Sequence, residues 1–243
     1  NDLPLLMCVP VSDLVNTPPF KIQTRSDWTE DEENRFRSAW SIASDSDQSP
    51  SRRIDSLREC LEMDPAHAGA NYALGRLHYD RGDSEQARQY LIAARDHDVC
   101  PLRATSAIVQ STKAIAERYQ IPLIDTPTLL DERDFRGALI ADQIPDPSRF
   151  VDHVHPSIVG HQRIGAALAQ QFEKLGWVEL TEQSAVRYEN AVKEHLSKLD
   201  QDYYVRGKQR LEGLRLWTMG RAGQLATEMA DDPSNLQEDQ QQP

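Results

Sequence analysis

Long apolar runs are missing from this sequence, and the first class of function goes with them. No stretch approaches the roughly 18–20 apolar residues that span a bilayer. No charged segment leads an apolar one at the start, so no signal peptide is visible. Positive charge is short as well. Lys and Arg number 27 against 39 Asp and Glu, a net charge of −12, which argues against nucleic acid or an anionic membrane as partner. Cysteine is scarce: Cys8, Cys60 and Cys100 are widely spaced and odd in number. They form neither a zinc pattern nor a disulfide framework, and are expected to be buried as small apolar residues. No cofactor is called for. The chain reads as soluble, and its compartment stays open, an extracytoplasmic one included.

What is present is 243 residues, enough for one large domain or two smaller ones. Leu3-Pro-Leu-Leu-Met-Cys-Val-Pro-Val11 is a short apolar run without alternation. That is the pattern of a strand covered on both faces in a parallel sheet. Asn16-Thr-Pro-Pro19 follows, and its prolines favour an extended loop. A chain that opens at Asn1 almost directly on a core strand reads as the C-terminal part of something longer.

Helices come next. Thr29-Glu-Asp-Glu32, preceded by Trp28, is a capping-box pattern that opens one helix. A second covers residues 51–63 and ends at Asp64-Pro65. Leu74-Gly75, Gly82-Asp83, Ala87, Leu91, Ala94 and Asp98 then resemble a tetratricopeptide repeat in their spacing. Gly75, Ala87 and Ala94 let two antiparallel helices approach, while Leu74 and Leu91 fill the seam. Two such units are fewer than a free-standing array needs, so these helices should lean on a neighbouring domain.

From Leu102 to Tyr119 an amphipathic helix is predicted, with Ile108, Ser111, Ile115 and Tyr119 on one face, and Ile121–Asp125 is a short strand. Helix followed by apolar strand is the alternation of a doubly wound α/β sheet. Residues 3–11 and 121–125 are therefore expected as parallel neighbours, with the repeats outside the sheet. Thr126–Arg136 reads as a loop with one helical turn, and Ile144-Pro-Asp-Pro147 as a turn. Beyond Gly176 the sequence stays helical, with Val192, Leu196, Leu199 and Tyr203 at helical spacing, then Leu211, Leu214 and Leu225 less regularly. A helical hairpin is expected there, and Tyr203, Tyr204 and Trp217 would anchor any partner. Asp231–Pro243 is polar, Gln-rich and reads as disordered.

The densest chemistry lies in Phe150-Val-Asp-His-Val-His-Pro-Ser157. Asp152 and His155 are three apart, and Pro156–Ser157 opens a helix predicted to run to about Leu175 and stop at Gly176. An imidazole that acts as a base needs a partner to fix its tautomer and stabilise its charged form, and a carboxylate does both. Two other readings stand beside this one. Asp152 and His155 could simply cap a helix, or Asp152, His153 and His155 could ligate a metal.

This D-x-x-H-P, followed by Gly160 and a small-residue helix, resembles the last sequence block of the SGNH (GDSL-type) hydrolases. The string Val9-Pro-Val-Ser-Asp-Leu14, followed by Pro18-Pro19-Phe20, resembles a bacterial subgroup of that family carrying tetratricopeptide repeats. The resemblance implies a flavodoxin-like sheet with an inserted repeat region, and a serine esterase in which Asp152 and His155 complete a Ser-His-Asp triad. The implied substrate is an ester, with acylated carbohydrate and simple carboxylic esters both open, and a protein partner is open at the repeats. The family also needs a Ser, a Gly and an Asn from three earlier blocks. Gly82-Asp83-Ser84 spells the first, but it falls in the interhelix turn of a repeat rather than after a strand, with Asp83 or Ser84 as a helix cap. The nucleophile and oxyanion donors are thus expected to be missing from this chain. The domain layout expected is a hydrolase segment at 1–24, a tetratricopeptide insertion at 25–100, the D-x-x-H segment at 101–176, and a helical extension with its tail at 177–243. A non-catalytic tetratricopeptide scaffold is the alternative.

Overall fold

The computed structural model describes residues 4–133 and 139–218, apart from the side chains of residues 132, 133, 139–143, 211, 215, 217 and 218. The expected disorder of 231–243, Leu225, and the side chains of Leu211 and Trp217 lie outside the described residues. Two strands carry the start of the fold. β1 (Met7–Cys8) pairs in parallel with β2 (Leu123–Ile124), in the register Met7↔Leu123 and Cys8↔Ile124. The predicted parallel neighbours are therefore neighbours. They are also short, because Pro10 and Pro122 have no N–H to extend the ladder. The remaining rungs are Met7 N–H to Pro122 O at 2.9 Å and Val9 N–H to Ile124 O at 3.0 Å. A wider flavodoxin-like sheet is not seen among the described residues, most of which are helical.

Between the two strands run four helices: α1 (Glu30–Ser44), α2 (Pro50–Met63), α3 (Ala68–Asp80) and α4 (Ser84–Asp96). α1 starts on the predicted capping box: Thr29 Oγ1 accepts from Glu32 N–H at 3.3 Å, and Glu32 Oε2 accepts from Thr29 N–H at 2.8 Å. Four acidic residues in its first turn favour the positive end of the helix dipole. α3 is capped unusually, by the ring of His67, whose Nδ1 accepts from Ala70 N–H at 3.0 Å. α3 and α4 form a tight hairpin. A Cβ on Gly75 would lie 2.8 Å from Leu91 Cγ and 3.0 Å from Leu91 N, so only glycine permits this approach. Phe36, Ile54, Leu57, Leu74 and Leu77 form the core of the helical array. A second core joins Ala87 and Leu91 of α4 to Leu14, Val15 and Ile144. The repeat thus leans on the rest of the fold, as its small number of units requires.

α5 (Ser106–Arg118) leads to β2, and a single helical turn, α6 (Thr126–Leu129), follows. The chain then departs from the expected loop. β3 (Asp131–Arg133) and β4 (Leu139–Pro145) form an irregular antiparallel pair. Neither stretch alternates cleanly, and the second ends on a proline, so no period-2 signal marked them. The apolar face of α5 differs too: Ile108, Ile115 and Tyr119 are exposed and only Ala116 is buried. Of the three cysteines, only Cys60 is buried as expected, and burial pushes its thiol up to about 11. Cys8 is exposed and Cys100 half-buried.

A 3-10 turn (Pro147–Arg149) delivers the chain to the Asp152 stretch. α7 (Ile158–Lys174) follows with Ser157 as N-cap, and ends at Leu175 and Gly176, whose φ is +71°. α8 (Glu182–Leu196) completes the first of two compact units, Asn1–Leu196. The second, Ser197–Pro243, contains α9 (Gln201–Thr218), on which Tyr203 and Tyr204 meet edge to face and are half exposed.

Candidate functional site at the Asp152–His155 turn

The turn is closed by backbone on both sides. Phe150 and Pro156 form an isolated antiparallel bridge, Val151 N–H donates to His155 O at 2.9 Å, and Ser157 N–H donates to Arg149 O at 2.6 Å. Gly160 lets α7 press against this closure, since a Cβ there would sit 2.5 Å from Arg149 O and 2.9 Å from Pro156 Cβ. Within it, Asp152 Oδ1 accepts from Val154 N–H at 2.8 Å and His155 N–H at 2.7 Å. Its other oxygen, Oδ2, lies 2.7 Å from His155 Nδ1. Partial burial pushes the Asp152 carboxyl up, but the two backbone N–H groups and the imidazole outweigh this and hold it below the usual 3.8. An ionised Asp152 can only accept, so Nδ1 carries the proton and Nε2 is left as the lone-pair nitrogen. The His155 side chain is 71% exposed against 20% for Asp152. The carboxylate is sheltered and the imidazole faces outward.

A second close His–Asp contact has opposite surroundings. His78 Nδ1 lies 2.9 Å from Asp83 Oδ2, but there the ring is 8% exposed and the acid 49%. That ring stacks on Tyr90 at 5.7 Å, and its Nε2 is shut off from solvent. It ties the α3–α4 turn together. Asp83 is the N-cap residue of α4 without a side-chain cap bond, and Gly82 has φ +76°. Gly82-Asp83-Ser84 is therefore a helix-to-helix turn, as the sequence indicated.

His153 faces the other way from His155. It is 7% exposed and meets Phe20 edge to face at 5.1 Å, with Nδ1 3.8 Å from Asp152 Oδ1. Its carbonyl accepts from Asp13 N–H at 3.1 Å, which joins the turn to the loop leaving β1. That loop is held in turn by the repeat. Tyr72 Oη and Arg76 Nη1, both on α3, donate to Val15 O at 2.7 Å each. Asp98, just past α4, accepts from Phe20 N–H at 2.8 Å and Lys21 N–H at 3.0 Å. Arg103 Nη1 donates to Asp13 O at 3.2 Å and Thr17 O at 2.8 Å. Burial brings the Arg103 guanidinium down to about 10 despite Asp98 at 3.8 Å. The sequence signalled Asp152 and His155. It gave no sign of this clamp, because Tyr72, Arg76 and Arg103 act on carbonyls far away in sequence.

No three metal-ligating side chains gather among the described residues. Nor is any helix among them long and apolar enough to cross a membrane. Residues 54–100, which span most of α2, all of α3 and all of α4, match the tetratricopeptide repeat family. This defines a tetratricopeptide-type region in the chain, a class of helical unit that generally mediates protein contacts. No curated protein and no solved structure matches the chain. The comparisons therefore speak for the repeat, and the reading of Asp152 and His155 rests on the residues and their geometry.

Proposed function

We propose that His155 is the general base of a serine-type ester hydrolase, oriented by Asp152, and that the helical repeat sets the loop on which their turn rests. The observation that carries this is the 2.7 Å contact between a sheltered, hydrogen-bonded carboxylate and an exposed imidazole. In the reaction, His155 Nε2 takes the proton of a serine hydroxyl as its oxygen attacks the ester carbonyl. The imidazolium, stabilised by Asp152, returns that proton to the departing alcohol, and a water then releases the acyl group by the same route. The serine and the oxyanion donors would come from sequence beyond these 243 residues. In this reading β1 and β2 belong to a larger parallel sheet, since such sheets are covered on both faces and Leu5, Ile108, Ile115 and Tyr119 are uncovered. Fold analogy does not choose between acylated carbohydrate and simpler esters.

The test is ester turnover. The 243-residue chain alone should hydrolyse a p-nitrophenyl ester no faster than background. In a protein joining it to its nucleophile, His155→Ala should abolish most turnover without unfolding, and Asp152→Asn should lower kcat by about four orders of magnitude. His153→Ala should cost far less activity, and a chelator nothing. Comparable losses at His153 and His155 together with chelator inactivation would establish the metal reading instead. Turnover by the chain alone that Ser84→Ala removes would make Gly82-Asp83-Ser84 the nucleophile.

The match over residues 54–100 favours a second reading, a protein-binding scaffold. Here Tyr72 and Arg76 are already engaged with the chain's own Val15, so a partner would have to use another face of the helices. Full ester turnover in His155→Ala, with partner binding lost on substitution in α1–α4, would decide for the scaffold.

A further inference from the structure

A cavity of about 280 Å³ lies beyond the carboxyl ends of β1 and β2. Ser12 and Asp125, which follow the two strands, line it, while Asp152 and His155 do not. The crevice at the carboxyl ends of parallel strands is where open α/β sheets bind their ligands. Three cations face it: Arg88 and Arg95 of α4, and Lys113 of α5. Two of them are compensated. Arg95 pairs with Asp96 at 2.8 Å and donates to Ser106 Oγ, and Lys113 lies 3.4 Å from Asp125.

Arg88 is the exception. Among the described residues it makes no ion pair, and its Nε is shut off from solvent without a hydrogen-bond partner. An enclosed N–H without a partner is costly, and a chain of net charge −12 is not short of carboxylates to pair with this half-buried guanidinium. Leu14, Ile92 and Val109 give the same cavity an apolar wall. A volume near the lower end of ligand pockets suits a small molecule rather than a polymer segment.

We propose that this cavity binds a small organic anion, with its oxyanion group on Arg88 and its apolar body against Leu14, Ile92 and Val109. A guanidinium presents parallel N–H groups that match a carboxylate or a phosphate in two-point contact. The assignment stands independently of the ester-hydrolase reading, because neither Asp152 nor His155 touches the cavity.

The test uses calorimetric titration of the full chain with straight-chain monocarboxylates from acetate to octanoate, and with inorganic phosphate. Affinity should rise with chain length and then fall once the tail outgrows the cavity. Arg88→Met should weaken binding by about ten- to a hundredfold, and Arg88→Lys should recover only part of it. Phosphate binding as tight as any carboxylate's, and equally lost in Arg88→Met, would keep the oxyanion site and reassign its ligand to a phosphate. Without ligand, Arg88→Met should unfold at the same or a higher temperature than the parent, since it removes an uncompensated cation. Binding that is absent, or unaffected by Arg88→Met, would overturn the proposal, as would a lower melting temperature of the unliganded variant.

Discussion

Two histidines of this chain pair with an aspartate at nearly the same distance, and what surrounds each ring decides what it can do. His78 is enclosed, so its Asp83 contact can only brace a turn. His155 faces water, so the nitrogen left by Asp152 is available to a substrate. A third histidine, His67, makes a different demand, because its Nδ1 must stay unprotonated to cap α3. Burial holds its pKa below the usual 6.5 despite the opposing pull of Asp64. The neutral ring's stabilisation is thus complete above pH 6.5 and lost as pH falls through the lower folded-state value. Urea unfolding should show the repeat less stable at pH 5 than at pH 7.5. His67→Asn, which keeps a cap acceptor, should lose most of that difference, and an unchanged pH dependence would show that another group controls it.

At the scale of elements, Gly160 is the point where α7 meets the closed turn. Gly160→Ala would drive a Cβ into Arg149 O, a backbone atom that cannot swing aside. It should cost about 1–3 kcal/mol in a denaturant titration and shift the amide resonances of residues 149–157, whereas Gly165→Ala, with open space around it, should do neither. Much of α7 was legible beforehand, because its cap, its periodicity and its terminal glycine all act within a few residues. The repeat hairpin was legible for the same reason, since Gly75, Leu91 and Gly82 state their roles through spacing. The parallel pairing of β1 with β2 could be anticipated from apolar runs, though not its shortness. β3 and β4 could not, since their pairing depends on long-range context. Nor did spacing reveal that the apolar face of α5 would stay uncovered.

For the molecule as a whole, the helical repeat holds the β1 loop, and that loop holds the Asp152–His155 turn through Asp13 and His153. Arg103 is a deeply placed link, with its side chain 2% exposed beside Asp98 at 1%. Arg103→Met should destabilise the chain by about 3–5 kcal/mol, because it strips a buried carboxylate of its counter-charge. Tyr72→Phe should cost about 1 kcal/mol and speed hydrogen exchange across residues 13–20, with α1 and α2 unchanged. The central claim, that Asp152 fixes His155 as an outward-facing base, is tested most directly by nitrogen-15 NMR of the imidazole in the 243-residue chain. At a pH where the ring is neutral, His155 should carry its proton on Nδ1 with Nε2 bare, and Asp152→Asn should abolish that preference. A proton found on Nε2 in the parent chain, or a tautomer indifferent to Asp152→Asn, would contradict it.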